Sequence, residues 1–341
     1  MRLQTISWYG KLWSLRKCKT VYVILLNKED DRMSNKIAVL GSINVDTTYH
    51  MDRFPQPGET LQAKDKSSAP GGKGANQSVA CARSGAKTYH IGMVGADQEG
   101  QFMRESMQED GIDTKFVGID KMHGTGTAMI TLDAEGQNDI MVYGGANQAM
   151  TADVLKNTDD LLKEIDFIIT QFETPQKVSA EAFKRAKENG VTTILNPAPA
   201  KDIDPELLKY TDVIAPNETE SALLTGIEIT DEDSMVKTAE YFKAKGVPNL
   251  LITLGSKGVF YSTPNDHGLV PAFKVKPVDT TAAGDTFIGA LTSQLKTDLS
   301  NIADALVYAQ RASSLTVQKM GAAPSIPTYD EVKAALAESG K

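Results

Sequence analysis

From residue 36 onward the chain alternates short apolar runs with longer amphipathic segments, and this alternation restricts its fold more than any other feature. Seven runs have the length and apolar character of buried strands: residues 37–40, 90–94, 166–170, 192–195, 213–215, 249–253 and 259–261. Strands that are apolar on both faces are typical of parallel sheets, whose faces are covered by crossover helices. We therefore predict an α/β fold with a mostly parallel central sheet and helices on both faces, in three αβα layers.

Two of the intervening segments show helical spacing clearly. In residues 176–188 and 231–245 an apolar residue recurs every third or fourth position, so that one face of each segment is apolar. Gly246 follows the second segment and suits a helix C-terminus. We predict helices over both ranges, each with one face against the sheet.

Two regions interrupt the alternation. Residues 127–132 and 139–143 are strand-like and flank the turn sequence Asp-Ala-Glu-Gly, which predicts a β-hairpin. Residues 44–70 are polar and extended, and they contain three prolines. We expect parts of about residues 44–70 and 125–146 to form a small second sheet that covers one end of the main domain as a lid. An irregular surface excursion is the alternative.

The first 32 residues differ in composition from the rest of the chain. They contain both tryptophans and seven basic residues against three acidic ones. We predict that residues 1–32 form an N-terminal extension outside the fold and that residues 33–341 form the folded domain. An Arg-rich transit peptide is the alternative, which the acidic residues 29–31 make less suitable.

Charge and cysteine content exclude several classes of partner. The formal net charge of −8 argues against binding to nucleic acid. No apolar run approaches the roughly 20 residues of a membrane span, so we expect no membrane partner. Cys18 and Cys81 are the two cysteines and make no disulfide framework, which predicts a reducing compartment and a cytoplasmic location.

Residues 278–287, Val-Asp-Thr-Thr-Ala-Ala-Gly-Asp-Thr-Phe, are the strongest candidate for a functional site. Residues 282–284 are small, so an anion can approach the backbone closely, and the pattern of residues 286–295 predicts a helix after them. The unpaired N–H groups at a helix start attract anions. Asp285 lies in this turn, where a carboxylate is explained if it deprotonates a hydroxyl that attacks a phosphoryl group. Capping of the helix is the alternative.

Two more polar segments lie near the start of the domain, one before a predicted helix and one after the first predicted strand. Residues 71–77, Gly-Gly-Lys-Gly-Ala-Asn-Gln, open a predicted helix but match neither the P-loop nor the dinucleotide fingerprint. Asn44 and Asp46 lie two residues apart, so on an extended segment they face the same side. This pair suits the hydroxyls of a sugar, and an Asx turn is the alternative. Ligands of parallel sheets bind beyond the carboxyl ends of the strands, which would bring these turns together.

Three further candidates follow later strands. Glu173 lies just after the strand predicted over residues 166–170. Asn217 and Glu220 begin a predicted helix, where they would suit hydrated magnesium or serve only as a helix cap. Residues 253–258, Thr-Leu-Gly-Ser-Lys-Gly, lie between two strands and suit a nucleotide phosphate or ribose.

Taken in order, these motifs resemble those of the PfkB sugar kinases. The similarity covers about residues 36–338, and the glycine turn is most similar to that of the members that phosphorylate ribose. The resemblance implies a kinase domain that transfers phosphate from ATP to the 5-hydroxyl of D-ribose, giving ribose 5-phosphate and ADP. A kinase of another small sugar, such as deoxyribose, remains the alternative. A non-catalytic sugar sensor is a third possibility, against which the intact Gly284-Asp285 pair argues.

The resemblance also implies a role for each matching residue. Asp285 would be the catalytic base, and the N–H groups of Ala282, Ala283 and Gly284 would form an anion hole. The residues that would hold ribose are Asn44, Asp46, Gly72, Lys73, Asn76, Glu173 and Asp285. The nucleotide side would comprise Asn217, Glu220, Thr253, Gly255, Gly258 and Gln310, with Mg²⁺ held through water by Asn217 and Glu220.

Two further features are implied by the resemblance alone. An activating K⁺ ion would lie beside the anion hole, near Asp279, Thr281, Thr316, Lys319, Gly321 and Ser325. The lids of two chains would pair, so that the protein would be a homodimer.

Overall fold

The computed structural model describes residues 35–340. The predicted extension, residues 1–32, lies outside the described residues. The strands of the described part are β1 (Lys36–Leu40), β2 (Asn44–His50), β3 (Asp65–Gly71), β4 (Lys87–Gly95), β5 (Asp113–Asp120), β6 (Gly126–Leu132), β7 (Asn138–Tyr143), β8 (Phe167–Thr170), β9 (Thr192–Leu195), β10 (Val213–Ile214), β11 (Asn249–Thr253), β12 (Val259–Ser262) and β13 (His267–Val270).

Nine of these strands form the central sheet, in the order β13-β12-β11-β10-β9-β8-β1-β4-β5. The pairings from β11 to β5 are parallel, and only β12 and β13 run antiparallel to their neighbours. The prediction of a mostly parallel sheet is therefore confirmed. All seven predicted apolar runs lie in this sheet, and the two edge strands, β13 and β5, were not indicated by the sequence pattern.

Helices cover both faces of the sheet. They are α1 (Lys73–Arg83), α2 (Gln98–Glu109), α3 (Ala146–Ala149), α4 (Asp159–Leu162), α5 (Gln176–Glu188), α6 (Pro205–Lys209), α7 (Glu218–Thr225), α8 (Glu232–Ala244), α9 (Ala283–Gln294), α10 (Ile302–Thr316) and α11 (Tyr329–Ser339). Three short 3₁₀ segments lie at Ala152–Leu155, Gly255–Lys257 and Ala323–Ser325. Within residues 35–340, no helix has the length and apolar character needed to cross a bilayer.

Alternation along the strands divides the core between the two faces. In β1, Ala38 and Leu40 belong to the cluster that Phe183 of α5 and Phe242 of α8 complete. Residues 37 and 39 of the same strand belong to a second cluster, built with α9, α10 and α11. Because successive side chains of a strand point to opposite faces, one apolar run supplies both cores. The apolar faces predicted for residues 176–188 and 231–245 are those that pack on the sheet.

Four strands form a second sheet, in the order β3-β2-β6-β7. The β6–β7 pairing is the hairpin predicted from the Asp-Ala-Glu-Gly turn, and β2 pairs with β6 in parallel and with β3 antiparallel. The smaller sheet predicted as a lid is thus present, and the alternative of an irregular excursion is wrong for β2 and β3. Residues 51–64, between those two strands, contain no strand.

The carboxyl ends of β1, β8, β9, β10 and β11 all lie at one edge of the central sheet, since these strands are parallel. The segments that follow them carry most of the polar residues singled out from the sequence. An isolated bridge between Asn217 and Thr253 joins two of these segments. The fold therefore concentrates the candidate residues at this edge, beneath the second sheet.

Candidate active site

A cavity of about 470 Å³ lies between the carboxyl edge of the central sheet and the second sheet. The predicted site residues that line it are Asn44, Asp46, Gly72, Lys73, Asn76, Glu173, Asn217, Glu220, Thr253, Thr281, Ala282, Ala283, Gly284 and Asp285. These residues come from segments that are up to 241 positions apart in the chain (285 − 44). The fold thus brings the predicted sugar side, the predicted base and part of the predicted nucleotide side into one space.

Asp285 lies in the first turn of α9 and is 6% exposed. Its Oδ1 accepts a 2.9 Å hydrogen bond from Nε2 of Gln77, and its Oδ2 accepts a 3.3 Å hydrogen bond from Nδ2 of Asn76. The N-cap of the helix is Ala282, with no side-chain cap. Asp285 therefore does not cap its own helix; it is bound by amides of α1 and lines the cavity.

The turn before α9 has an unusual backbone. Ala282 has φ of 59°, in the left-handed region that residues with a Cβ seldom adopt. This conformation turns the chain into the helix, which begins at Ala283, earlier than the predicted Thr286. Of the three N–H groups predicted to form an anion hole, that of Ala283 donates to the carbonyl of Thr280 at 3.2 Å. The anion hole itself stays a prediction, with one of its donors shared with the turn.

The charged groups in the cavity perturb one another. Burial raises the pKa of Asp285, whereas the Lys73 ammonium and then the amide of Gln77 lower it. Burial, followed by the nearby carboxylates of Glu173 and Asp285, raises the pKa of Asp46 to about 6. The carboxylate of Asp285 is the main cause that raises the pKa of Lys73. Perturbed groups of opposite sign in a cleft are typical of an active site.

Asn44 and Asp46 occupy alternate positions of β2 and both line the cavity, so the alternative of an Asx turn is excluded. Asn147, buried just after the glycine turn 144–145, donates to Oδ1 of Asn44 at 2.8 Å and to the carbonyl of Ile43 at 3.1 Å. Its own Oδ1 accepts from the N–H of Ile43. Asn147 therefore fixes the amide of Asn44, a role that no sequence signal indicated.

The glycine turn approaches β2 and the residue after β1 too closely for side chains at positions 71 and 74. A Cβ on Gly71 would lie 2.1 Å from Oδ2 of Asp46, and a Cβ on Gly74 would lie 2.5 Å from the backbone of Gly41. Glycine at these positions lets α1 begin against β2 and the end of β1. The turn can thereby present the side chains of Lys73 and Asn76 to the cavity beside Asp46.

Asn217 and Glu220 cap α7, and both also line the cavity. The Asn217 side chain accepts from the N–H of Glu220, and the Glu220 carboxylate accepts from the N–H of Asn217, so the pair forms a capping box of α7. Burial raises the pKa of Glu220. Capping and cavity lining are compatible here because each side chain has a second polar atom.

A second cavity of about 420 Å³ adjoins the first, with Thr280 and Ala283 lining both. Gly255 and Gln310 line this cavity together with apolar side chains such as Phe273 and Val275. Gly258 lines neither cavity. Its φ of 118° and the 2.1 Å that would separate its Cβ from the carbonyl oxygen of Val270 explain glycine there by backbone packing.

A family model described as pfkB family carbohydrate kinase matches residues 34–329. The chain belongs to this family. It is 48% identical to the ribokinase of Staphylococcus aureus over 301 residues, which cover 88% of this chain and 99% of the relative. It is 50% identical over 298 residues to a bifunctional ribokinase/ribose-5-phosphate isomerase A of Fructilactobacillus sanfranciscensis, covering 87% of this chain but 55% of the relative, about half its length.

Solved structures of the family give the same result. The structure of Arabidopsis thaliana ribokinase complexed with ribose and ATP is 31% identical, covers 89% of this chain and 99% of its own, and superposes with a TM-score of 0.85. The membership predicted from the four motifs is thereby confirmed, as is the fold class.

In this pfkB-family chain, three of the residues predicted to hold K⁺, Asp279, Thr281 and Gly321, lie on two adjoining loops. Oδ1 of Asp279 accepts from the N–H and hydroxyl of Thr281, and its Oδ2 accepts from the N–H of Gly321 at 2.9 Å. The loops are joined again where the N–H of Val278 donates to the carbonyl of Val317. Asp279 therefore ties the start of α9 to the segment after α10.

The other three residues predicted to hold K⁺, Thr316, Lys319 and Ser325, have side chains with partners away from Asp279. Thr316 is buried, and its hydroxyl donates to the hydroxyl of Thr286 at 3.0 Å. The ammonium of Lys319 pairs with Glu331 at 3.1 Å, so only the main chain of Lys319 belongs to the loop. Ser325 is buried and donates to the carbonyl of Ala322. In the part of the chain that the structure describes, no group of three or more His, Cys, Asp or Glu side chains is arranged to hold a metal.

Several cavity residues were not predicted. The smaller sheet contributes four apolar side chains: Ala128, Ile130, Ile140 and Val142. The hairpin pattern located the strands, and their alternation would have shown that residues 140 and 142 share a face. Behind Asp285, Gln77 belongs to the predicted glycine turn, but its partners Gln171 and Asn196 carried no sequence signal.

Proposed function

We propose that this protein transfers the γ-phosphoryl group of ATP to the 5-hydroxyl of D-ribose, giving ribose 5-phosphate and ADP. The observation that carries the proposal is the placement of Asp285, buried at the start of a helix and facing a cavity that it shares with Asp46 and Lys73. The relatives named ribokinase, and the related structure with ribose and ATP, support this substrate pair.

Asp285 acts as the base. Its carboxylate takes the proton of the 5-hydroxyl while the hydroxyl oxygen bonds to the γ-phosphorus and the bond from that phosphorus to the β-bridging oxygen breaks. The electron pair of that bond leaves with ADP. The first turn of α9 offers N–H groups and a positive helix end to the transferring phosphoryl group. An alcohol with a pKa far above neutrality needs such a base only at the moment of attack.

The sugar is held on the side of β2 and α1. Asn44, Asp46 and Asn76 present amide and carboxylate groups, and these match the alternating donors and acceptors of vicinal hydroxyls. Gly72, Lys73 and Glu173 complete this side. The apolar residues of the smaller sheet lie over the cavity, where they would exclude water from the transfer.

The nucleotide occupies the side of Asn217, Glu220 and Thr253, with its base in the adjoining cavity beside Gln310 and Gly255. The first cavity holds four carboxylates, those of Asp46, Glu173, Glu220 and Asp285, against one ammonium group. A polyphosphate needs a cation to enter such a site, since like charges repel strongly at low dielectric. Mg²⁺ bound to the phosphates would neutralise this charge, with Asn217 and Glu220 orienting its water ligands.

We further propose K⁺ as an activator, held where the loops of Asp279–Thr281 and Thr316–Ser325 adjoin the start of α9. Main-chain carbonyls and a carboxylate are the oxygen donors that suit K⁺. Because Asp279 already joins the two loops, a cation there would set the position of Ala282 and thus of the anion-binding turn.

The smaller sheet is the proposed dimer contact. β7 is an edge strand, and its Ile140, Met141, Val142 and Tyr143 are each more than half exposed although they are apolar. An exposed apolar edge of this kind is typical of a surface that a partner covers. A homodimer through the lid would cover this surface. We also propose a cytoplasmic location.

The test is a panel of pentoses and hexoses, including D-ribose and 2-deoxyribose, incubated with ATP, Mg²⁺ and K⁺ while ADP release is measured. We expect the highest kcat/KM with D-ribose and a product phosphorylated on the 5-oxygen. Preference for another sugar would replace ribose as the substrate but leave the kinase assignment intact. Sugar binding without ADP release for any sugar would instead indicate a sensor.

A further inference from the structure

Three carboxamides are linked to Oδ1 of Asp285 by hydrogen bonds; Gln77 and Gln171 do not line the cavity, and Asn196 lies at its wall. Gln77 and Gln171 are 0% and 1% exposed, and Asn196 is 9% exposed. Nε2 of Gln77 donates to Oδ1 of Asp285 at 2.9 Å and to Oδ1 of Asn196 at 3.1 Å. Oε1 of Gln77 accepts from Nε2 of Gln171 at 2.6 Å. Both N–H groups of the Gln77 amide and its oxygen are therefore engaged in hydrogen bonds.

The direction of these bonds is fixed from outside the group. Nδ2 of Asn196 donates to the main-chain carbonyl of Ala215 at 3.0 Å, and a carbonyl can only accept. The oxygen of Asn196 must therefore face Gln77. The carboxylate of Asp285 also only accepts when it is ionised. Gln77 consequently has two acceptors on one side, and a flipped Gln77 would place its oxygen against both.

Gln171 supplies the third constraint. It follows β8 at the sheet edge and does not line the cavity. Its Oε1 is buried without a hydrogen-bond partner among the described residues, which is a costly arrangement. Gly41 leaves the space for this amide, because a Cβ at Gly41 would lie 2.3 Å from the same Oε1. The orientation that leaves Oε1 without a partner is the one that lets Nε2 donate to Gln77.

We propose that Gln77, Gln171 and Asn196 form an orientation relay that binds Oδ1 of Asp285 and leaves Oδ2 to take the proton of the sugar hydroxyl. Oδ2 has only the longer 3.3 Å bond from Asn76, which itself lines the cavity. Gln171 is then a positioning residue, since it acts on Asp285 through Gln77 and touches no substrate. The inference rests on the proposed role of Asp285 as base.

The charged groups that face Asp285 are Asp46, Lys73, Glu173 and Glu220. Substituting Gln171 with Met changes none of them and keeps a side chain of similar length. A change in the pH dependence of turnover in that variant would therefore report the relay. The hydrogen bond from Gln77 lowers the pKa of Asp285, so its loss should move the acidic limb of the kcat profile to higher pH.

The experiment measures kcat, the ribose KM and the pH profile for wild type, Gln171→Met, Gln77→Met and the double variant. Loss of a neutral hydrogen bond predicts a decrease in kcat of about 10-fold for Gln171→Met, and loss of the bond to the carboxylate about 10- to 100-fold for Gln77→Met. The ribose KM should change little in Gln171→Met. The double variant should be no slower than Gln77→Met, because residues that act as one unit are not additive.

Gln171→Glu tests the direction of the relay with almost no change in shape. Its neutral carboxyl can donate to Gln77 and its ionised carboxylate cannot, so kcat should approach the wild-type value at low pH and fall as pH rises. Gln294→Met is the matched control, since that amide is partly buried on α9 and donates to Ser84 and Ser293 away from the cavity. It should retain the wild-type kcat and pH profile.

Each outcome decides the inference. A folded Gln171→Met with wild-type kcat and pH profile would overturn it, as would equal losses in Gln171→Met and Gln294→Met. A Gln171→Glu variant whose relative kcat does not depend on pH would also contradict it. Wild-type protein that releases no ADP with any sugar would overturn the proposed function and this inference together, and so is distinguishable from failure of the relay alone.

Discussion

The main-chain N–H of Lys73 donates a 3.0 Å hydrogen bond to Oε2 of Glu173, which joins the start of α1 to the segment after β8. The hydroxyl of Ser42 donates to the same oxygen at 2.5 Å. Two donors thus hold one oxygen of a carboxylate that lines the cavity, and its orientation is set before any ligand binds. Fixed polar groups of this kind reduce the reorganisation that binding and reaction require.

Substitution of the proposed base should separate binding from turnover. In Asp285→Asn the side chain keeps its shape and can still lie against Asn76 and Gln77, so we expect ribose to bind within a few-fold of wild type. Turnover should fall by about 10²- to 10⁴-fold, the usual contribution of a general base. Isothermal titration with ribose and the ADP-release assay measure the two quantities. Wild-type turnover in the folded variant would exclude Asp285 as the base.

Burial of the Asp46 carboxylate should lower the free energy of unfolding at neutral pH. Its pKa rises from 3.8 to about 6 on folding, so the ionised form is disfavoured in the native state. The resulting loss in the free energy of unfolding is absent below about pH 4 and grows between about pH 4 and pH 6. Above that range it is constant, at no more than about 3 kcal/mol. Asp46→Asn should therefore increase the free energy of unfolding at pH 8 more than at pH 5, while ribose binding weakens.

Urea unfolding at the two pH values measures this effect. Asp139→Asn is the control, because Asp139 is an exposed aspartate of the same sheet. An increase in stability that is equal at pH 5 and pH 8, or equal in both variants, would contradict a penalty from burial of Asp46.

Potassium should activate the enzyme through the loop of Asp279. We expect kcat/KM to be higher in KCl than in choline chloride at the same ionic strength, and we expect Asp279→Ala to lose most of that difference. Asp298→Ala is a matched control, because both aspartates accept an N–H bond from the residue two positions later. Equal rates of the wild type in the two salts would remove K⁺ from the mechanism.

The dimer contact should depend on the edge of the smaller sheet. Met141 is 59% exposed on β7 and does not line the cavity, unlike its neighbours Ile140 and Val142, so Met141→Lys should leave the fold intact but charge the surface that a second chain would cover. Light scattering after size-exclusion chromatography should give a dimer for the wild type and a monomer for this variant. Leu223→Lys changes an apolar residue that is 71% exposed on α7 and should remain dimeric. A monomeric wild type would exclude the proposed dimer.

The sequence by itself predicted most elements of this protein and most of the polar residues that line its cavity. Periodicity located the parallel strands except β5, the β6–β7 hairpin and helices such as α5, because buried strands and amphipathic helices have distinct local patterns. The order of four motifs indicated the family, and a lone carboxylate in a small-residue turn indicated Asp285 as the base.

Only the tertiary structure decided how these residues are held. Gln77 contacts Asp285 across 208 positions and Asn196 across 119, and Asn147 contacts Asn44 across 103. No local pattern records such pairs, because an amide that is buried against another segment has the same sequence signature as one that is exposed. The tertiary structure likewise directed Lys319 toward Glu331 and placed Gln310 beside a second cavity, since side-chain direction depends on which elements pack together.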